Sequence, residues 1–243
     1  MLVRSIIGKI FNHSIEFVFP KICVICKNKI NQNNISNYTN FCCKYCFNSF
    51  RMADEHDNIE KILMEDLKDD MAISNAFSLF SAKNTDEVSV MELIYKLKYE
   101  GFTQIGIELG ELLGKLLLDY NMIDYDLVIP VPIHKARRRE RGYNQSEFIA
   151  KGVNNIIKSN VYNNLLYRRH YTITQTKLSK EERAKNLKNV FFVKFDERNN
   201  ISGKKILLVD DVLTSGYTLN NCAIALLENK VRQVDIVTIV HKE

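Results

Sequence analysis

The chain has 243 residues, of which 46% are apolar and 26% are charged, and its formal net charge is +5. This composition supports a buried core and excludes collagen-like, Pro/Gly-rich low-complexity and disulfide-dense secreted proteins. The small positive charge is compatible with a polyanionic partner but does not by itself indicate one. Proline and glycine are scarce, with three and nine residues, so each is expected to answer a local geometric need.

The first segment, residues 1–19, has apolar positions spaced as in an amphipathic helix. Charged residues interrupt the apolar ones and no small-residue cleavage site follows, so we do not expect a signal peptide. No run reaches the roughly 18 uninterrupted apolar residues of a membrane span, and we expect no membrane insertion. We therefore expect a cytoplasmic protein, in which clustered cysteines favour metal binding over disulfides.

Five of the six cysteines lie close together near the start of the chain, and four of them form two C-x2-C knuckles separated by 16 residues. This spacing can place four thiolates around one structural Zn²⁺, on which the fold of a module this small would depend. Residues 1–50 are therefore predicted to hold a helix and a zinc module. The sequence leaves open whether Cys42 or Cys43 serves as a ligand. The predicted ligands are Cys23, Cys26, Cys43 and Cys46.

The remaining chain divides into an acidic segment and a longer region of alternating patterns. We interpret residues 51–75 as an acidic connector with a solvated face and a short helical pattern at 59–67. The alternation of strand and helix patterns predicts an α/β domain with a mainly parallel sheet over residues 76–243. The predicted strands cover 76–81, 126–131, 165–167, 190–193, 205–209 and 234–240, and the predicted helices cover 86–99, 103–120, 145–158, 179–188 and 217–229.

Three glycines, Gly106, Gly110 and Gly114, recur at every fourth position of the helix predicted at 103–120. Small residues at this spacing form one face of a helix and allow a neighbouring element to approach closely. Glu108 and Glu111 lie within the ladder, which disfavours a transmembrane dimer. The pattern therefore predicts close packing inside the domain.

The most informative segment is an apolar strand that runs into Asp210 and Asp211 and then into a hydroxyl-and-glycine turn that begins a helix. Ligands of parallel sheets bind beyond the carboxyl ends of the strands, and a helix N-terminus offers N–H groups to phosphate. The carboxylates suit ribose hydroxyls or a hydrated Mg²⁺. The P-loop and GxGxxG patterns are absent from the sequence, which disfavours kinases, NTPases and dinucleotide enzymes. The predicted phosphate-binding residues are Thr214, Ser215, Gly216, Tyr217 and Thr218.

This segment resembles the phosphoribosyl diphosphate (PRPP) signature of type I phosphoribosyltransferases. Upstream motifs narrow the resemblance to the ComF family of ComFC-type competence proteins: PVP at 130–132, RGYNQ at 141–145 and YxxKYxG at 95–101, together with the cysteine knuckles. The family usually has Thr-Thr-Gly-Ala-Thr where this chain has the turn at 214–218. Serine at 215 keeps the hydroxyl, and we expect the side chain of Tyr217 to point outward.

The resemblance implies that Asp210 and Asp211 are the catalytic acidic pair and hold the ribose hydroxyls of PRPP, which binds with Mg²⁺. It implies that the following turn binds the 5′-phosphate, and it assigns two further segments. The implied pyrophosphate loop consists of Val131, Pro132, Ile133 and His134. The implied flexible loop carries Arg168, Thr172, Gln175, Arg183 and Asn186.

A basic segment follows the implied pyrophosphate loop and contains Lys135, Arg137, Arg138, Arg139 and Arg141. Three interpretations stay open: neutralisation of PRPP, salt-sensitive contact with DNA phosphates, and a solvated helix face. The resemblance implies a role in natural competence, with single-stranded DNA and DNA-uptake proteins as partners. Two hypotheses follow, a PRPP-dependent phosphoribosyltransferase with an unknown acceptor and a non-catalytic competence factor that binds single-stranded DNA or a partner. The sequence determines neither the acceptor nor the oligomeric state.

Overall fold

A computed structural model of the chain describes residues 20–53, 56–82, 87–168 and 190–242. The chain divides into two compact units, with the boundary between Phe50 and Arg51. The helices predicted at 1–19 and 179–188 lie outside the described residues.

The first unit is small and held together by local turns. Two antiparallel bridges, between Ile22 and Lys29 and between Ile35 and Cys43, close its loops, and a short helix, α1, covers Lys44–Asn48. Among its described residues, the buried apolar side chains are few and include Val24, Ile30 and Phe47, and Phe47 stacks on Tyr38 with 4.9 Å between ring centroids. A core of this size contributes little burial, so such a unit needs additional cross-linking to be stable.

The second unit is built on a five-stranded sheet in which each neighbouring pair is parallel, in the order β1-β7-β6-β2-β3. The central strands are buried on both faces, which explains why they read as continuous apolar runs rather than as alternating patterns. This sheet confirms the predicted α/β class. The strands of the described residues are β1 (Ala76–Ala82), β2 (Leu127–Pro130), β3 (Asn160–Val161), β4 (Leu166–Arg168), β5 (Phe191–Val193), β6 (Lys205–Leu213) and β7 (Gln233–Lys242).

A separate two-stranded antiparallel sheet is formed by β4 and β5. The β3 strand was not predicted, because its two residues lie in an Asn-rich stretch that the sequence indicates as loop. The helices of the second unit, within the described residues, are α2 (His56–Leu67), α3 (Glu87–Tyr99), α4 (Thr103–Asp119), α5 (Lys135–Arg141), α6 (Gln145–Ile157), α7 (Arg198–Ile201) and α8 (Tyr217–Leu227).

The glycine ladder of α4 packs directly against α6. A Cβ atom added to Gly110 would lie 2.2 Å from the carbonyl oxygen of Ile149, and one added to Gly152 would lie 2.0 Å from that of Ile107. Only glycine permits backbones to approach this closely. The close packing predicted from the ladder is thus confirmed, and its partner is a helix of the same domain.

The acidic segment 51–75 forms part of the second unit. Its helix α2 buries Ile59, Leu63 and Leu67, which recur at every fourth position, in the same core as alternate residues of β2, β6 and β7. Residues 51–53 add an antiparallel bridge to β1, between Met52 and Phe80, and this bridge covers part of the outer edge of that strand. The acidic residues of this segment therefore do not prevent the apolar face of α2 from being buried.

Candidate functional site

The chain leaves β2 and β6 in opposite directions across the sheet. From β2 it continues through α5 and α6 to β3 on one side, and from β6 through α8 to β7 on the other. Because β2 and β6 are neighbours, the segments after them diverge and leave a crevice at their carboxyl ends, where open α/β sheets bind ligands. The register pairs Pro130 with Val209, so Asp210 and Asp211 lie just beyond the last paired residue of β2.

Side chains from two helices contact this acidic pair. Ser146 Oγ donates a hydrogen bond to Asp210 Oδ1 over 2.8 Å, and the backbone N–H of Asp211 donates to the same oxygen over 2.9 Å. At the end of α3, Lys98 places its Nζ 2.9 Å from Oδ2 of the buried Asp211. The sequence had not indicated roles for Ser146 and Lys98. One ammonium group thus faces two carboxylates, and the pair keeps a net negative charge when both are ionised.

The pKa of the Asp210 carboxyl is raised to about 7. Burial is the largest cause, and the negative charge of Asp211 adds to it, whereas the hydrogen bond from Ser146 and the charge of Lys98 act in the opposite direction. The charge of the acidic pair therefore changes near neutral pH. A ligand that needs both carboxylates ionised is favoured on the alkaline side of this range.

The turn after β6 combines backbone constraint with accessible donors. Gly216 has φ 71° directly before α8, and a Cβ atom there would lie 2.3 Å from Cδ2 of Leu63, so a side chain is excluded by conformation and by space. Thr214 is exposed, and Ser215 and Thr218 are half-buried. The first N–H groups of α8 have no acceptor within the helix. The turn therefore offers backbone and hydroxyl donors to an anion.

Tyr217 follows this glycine, and its side chain is anchored rather than pointing outward as expected from the sequence. Its hydroxyl donates a hydrogen bond to the carbonyl oxygen of Asp66 over 2.9 Å. The acceptor lies at the end of α2, about 150 residues away in sequence, so no local pattern could have revealed the contact.

The loop after β2 is held at both ends. The N–H of Val131 donates to the carbonyl oxygen of Val209 over 2.9 Å, and Asn144 Nδ2 donates to the carbonyl of Val131 over 3.0 Å. At the other end, His134 Nδ1 accepts from the N–H of Ala136 over 3.1 Å and caps α5. The residues between these anchors, Pro132 and Ile133, are half-buried. The loop is thus a constrained backbone next to the acidic pair, and His134 has a capping role in it.

The RGYNQ motif and the serine after it contact three parts of the crevice: the end of α3, the loop after β2 and Asp210. The Arg141 guanidinium lies 5.1 Å from the ring centroid of Tyr99, and the Tyr143 hydroxyl donates to the carbonyl of Leu97; both contacts hold the end of α3 that carries Lys98. Asn144 holds the loop after β2 and caps α6, while Ser146 holds Asp210. A glycine followed by several hydrogen-bonding residues was the only sequence signal of this arrangement.

The basic segment forms α5, and its members differ in their surroundings. Arg138 forms a two-point ion pair with Glu147, at 2.7 and 3.2 Å, and Arg141 is half-buried against Tyr99 and Gln145. Lys135 and Arg139 are exposed, and together with Arg138 they line an open depression of the surface. The exposed side chains of Lys135 and Arg139 are therefore the ones that this helix most readily offers to a large polyanion.

The implied flexible loop lies largely outside the described residues. Of its named members, Arg168 belongs to β4 and places its guanidinium 5.5 Å from the ring centroid of Phe191 in β5. The antiparallel pairing of β4 with β5 places Arg168 opposite Phe191. Thr172, Gln175, Arg183 and Asn186 lie outside the described residues.

The first unit brings four thiols into one cluster. The Sγ atoms of Cys23, Cys26, Cys43 and Cys46 all lie within 4.8 Å of one another, and those of Cys26 and Cys43 are 3.9 Å apart. Sulfur atoms arranged tetrahedrally at about 2.3 Å from Zn²⁺ would be roughly 3.8 Å apart. The cluster could therefore hold a metal ion, and both its donor atoms and its spacing fit zinc.

The thiols differ in how readily they ionise. Burial acts to raise the pKa of Cys23, but hydrogen bonds from neighbouring backbone N–H groups, including that of Cys43, outweigh it and lower the pKa to about 6. Cys42 is fully buried outside the cluster, and burial together with the charge of Cys23 raises its pKa far above the usual range. Of the two cysteines between which the sequence left the choice open, Cys43 belongs to the cluster and Cys42 does not.

Among the described residues, no helix is both long and apolar enough to cross a membrane.

A family model described as "Phosphoribosyl transferase domain" matches residues 149–243. The matched segment contains β6, the acidic pair, the glycine turn and α8, which are the elements on one side of the crevice.

Three curated relatives extend this finding. Competence protein F of Haemophilus influenzae is 33% identical over 111 residues, which cover 46% of this chain and 48% of the relative. DNA utilization protein YhgH of Escherichia coli O157:H7 is 30% identical over 148 residues, 59% of this chain and 63% of the relative. Competence protein ComFC of Bacillus subtilis is 30% identical over 116 residues, 47% of this chain and 44% of the relative. The chain thus spans between 44% and 63% of the length of these relatives.

Solved structures show weaker likeness. Glutamine PRPP amidotransferase from B. subtilis, complexed with ADP and GMP, is 20% identical, with a TM-score of 0.37 over 55% of this chain and 26% of that one. Purine phosphoribosyltransferase from Pyrococcus horikoshii is 12% identical, with a TM-score of 0.33 over 56% of this chain and 81% of that one. Likeness at this level carries no information about the substrate.

The parallel sheet, the crevice with its acidic pair and the matched family model define a domain of phosphoribosyltransferase type. The competence and DNA-utilization relatives, together with the four-cysteine cluster, narrow this class further. The chain contains a domain of phosphoribosyltransferase type and is similar in sequence to competence and DNA-utilization proteins.

Proposed function

We propose that this protein binds Mg-PRPP in the crevice between β2 and β6. The observation that carries the proposal is the position of Asp210 and Asp211 at the switch point of the sheet, directly before a glycine turn at the N-terminus of α8. Few other ligands need two adjacent carboxylates for hydroxyl groups and, a few residues away, donors for a phosphate.

Each part of the ligand has a matching part of the crevice. The ribose hydroxyls donate to Asp210 and Asp211, the 5′-phosphate accepts from the turn 214–218, and the diphosphate lies along the loop 131–134. Carboxylate oxygens are ligands that Mg²⁺ takes in proteins, so the acidic pair also fits the cation. When bound, Mg²⁺ would neutralise charge on the diphosphate as it leaves.

The reaction supported by this arrangement is transfer of the phosphoribosyl group to a nucleophile. A nucleophilic nitrogen forms a bond to the anomeric carbon while the bond from that carbon to the diphosphate oxygen breaks, and diphosphate departs with the electron pair. The residues of the crevice contribute positioning and electrostatic stabilisation. Ser146 and Lys98 keep the two carboxylates oriented, and the acceptor is not defined by any motif of the chain.

Isothermal titration with Mg-PRPP tests this proposal. We expect saturable binding to the native protein at pH 8, with one site per chain and competition by ribose 5-phosphate. Absence of binding would remove the phosphoribosyltransferase hypothesis. Detection of an acceptor would follow from release of diphosphate in the presence of candidate amines and nucleobases.

A second candidate function is binding of single-stranded DNA in a ComF-type role in natural competence. It is favoured by the exposed basic side chains of α5 and by the names of the relatives, which concern competence and DNA utilization. DNA-uptake proteins are the corresponding class of protein partner. DNA binding through α5 would not use the acidic pair or the glycine turn, so the two functions are compatible.

The contribution of α5 to DNA binding is measurable from its salt dependence. We expect the K135A/R139A variant to bind a labelled single-stranded oligonucleotide more weakly and to reduce the slope of log K against log salt by about 1.4, because each of the two lost phosphate contacts contributes about 0.7. Lys115→Ala, at an exposed position of α4, serves as control. An unchanged slope, or binding that ignores salt, would contradict this role.

The metal of the first unit is proposed to be a structural Zn²⁺ with no open ligand position. We expect chelation to release one zinc ion per chain and to raise amide hydrogen exchange throughout residues 20–50, while the sheet of the second unit stays protected, because the small unit lacks a sufficient core. In the same assay, Cys43→Ala should lose zinc and Cys42→Ala should retain it. Unfolding of the whole chain on chelation would contradict a self-contained module.

A further inference from the structure

The glycine turn proposed to bind the 5′-phosphate is held by hydrogen bonds to the end of α2 and to the residues that follow it. From the first turn of α8, the Tyr217 hydroxyl donates to the carbonyl of Asp66 over 2.9 Å. The amide of Asn220, three residues further on, donates to the carbonyl of Asp70 over 2.7 Å and accepts from the N–H of Ala72 over 2.7 Å. Two side chains on one face of the helix thus hold three backbone groups of a segment about 150 residues away.

Apolar packing complements these hydrogen bonds. The space that a side chain at Gly216 would occupy is filled by Leu63, whose Cδ2 would lie 2.3 Å from a Cβ atom there. Leu63 and Leu67 are buried, and Asn220 is only 2% exposed. The turn therefore packs against α2, and the hydrogen bonds fix the position of the first turn of α8 relative to the end of α2.

We propose that Tyr217 and Asn220 are positioning residues, which orient the phosphate-binding turn by tying it to α2. This inference rests on the proposed binding of PRPP. The donors of the turn are backbone N–H groups, whose directions depend on the position of the first turn of α8, and a small displacement of such groups weakens anion binding steeply. Asn220 is part of the buried core, whereas Tyr217 is half-buried. The Tyr217 hydroxyl can therefore be removed without disturbing the core.

The test is Tyr217→Phe, which deletes one hydroxyl and keeps the ring. Two probes separate the subsites: ribose 5-phosphate reports on the turn, and Mg-diphosphate reports on the loop 131–134. We expect ribose 5-phosphate to bind about three- to tenfold more weakly, the effect of one lost hydrogen bond. Diphosphate affinity should change less than about twofold, within the ordinary effect of a distant substitution. Tyr45→Phe, at an exposed tyrosine of the first unit, is the matched control.

The outcomes separate the inference from the function on which it rests. Selective weakening of ribose 5-phosphate binding, with an unchanged thermal midpoint, supports positioning by Tyr217. Unchanged ribose 5-phosphate affinity overturns it, and so does equal weakening of both probes with a lowered midpoint, which indicates a general structural role. If the native protein binds neither probe, the proposed function is wrong, and the inference that rests on it is wrong as well.

Discussion

Replacing Asp210 by Asn is expected to weaken Mg-PRPP binding about 10- to 100-fold, because a hydrogen bond to an ionised group contributes about 1.5–3 kcal/mol. The amide keeps the shape of the side chain, and its oxygen can still accept from Ser146 and from the N–H of Asp211. The change therefore removes the charge and leaves the local framework. Titration calorimetry at pH 8 measures the loss.

The same substitution is expected to stabilise the fold at pH 8. Burial and Asp211 raise the pKa of Asp210 from 3.8 to about 7, so the folded protein holds this proton more tightly than the unfolded chain. Stability conferred by the proton is fully present below pH 4 and is lost as the pH rises through 7. The neutral amide avoids this loss, and we expect a gain in unfolding free energy of about 1–3 kcal/mol at pH 8.

Denaturant unfolding at several pH values checks the second half of this prediction. The difference between D210N and the native protein should narrow as the pH falls from 7 to 4, where the native carboxyl becomes protonated. Asp124→Asn, at an exposed position outside the crevice, should change neither quantity. A variant that lost affinity and stability together would instead indicate a damaged fold, and the account of the acidic pair would be wrong.

The second large effect is expected at Gly110, where a methyl group meets backbone rather than a movable side chain. Its Cβ atom would lie 2.2 Å from the carbonyl oxygen of Ile149, so α4 and α6 must separate. Overpacking of this kind costs about 1–3 kcal/mol and occasionally more, partly offset by the roughly 1 kcal/mol that alanine gains over glycine in a helix. Because the clash is with backbone, we expect Gly110→Ala to lower the unfolding free energy by about 2–4 kcal/mol.

Gly106, one turn earlier on the same face, supplies the matched control. A Cβ atom there would lie 3.1 Å from Cδ1 of Leu97 and from Cβ of Phe148, contacts that a shift of a few tenths of an ångström relieves. We expect Gly106→Ala to be nearly neutral in unfolding experiments. If both substitutions had the same small effect, the helices would not be in the close contact described. Because α6 also carries Ser146, Gly110→Ala should in addition weaken ligand binding.

Features of the fold that depend on local pattern could be predicted from the sequence. The buried strand β6 contains the unbroken apolar run 206–209, and the helices at 103–119 and 145–157 carry clear apolar faces. The two residues of β3 carried no such signal, because their strand is defined by pairing with β2 alone. The packing of α2 depends on three apolar positions within a mostly acidic stretch, where composition masks the buried face.

The candidate site was predictable where its residues are contiguous and not where they converge from distant segments. Asp210, Asp211 and the turn lie in one strand–turn–helix unit, whose chemistry can be recognised from its order. Lys98 and Ser146 reach the acidic pair from two helices that are separated from it by 64 residues or more. Tyr217 shows the same limit, since its partner lies about 150 residues away, in a short helix that the sequence assigned to an acidic connector.

The most direct test of the central claim is the structure of the complex with Mg-PRPP. We predict that the ribose hydroxyls lie at Asp210 and Asp211, the 5′-phosphate at the turn 214–218 and the diphosphate at the loop 131–134. The hydrogen bond from Tyr217 to Asp66 should be retained in the complex. PRPP bound outside the crevice between β2 and β6, or no bound PRPP at saturating concentration, would contradict the account.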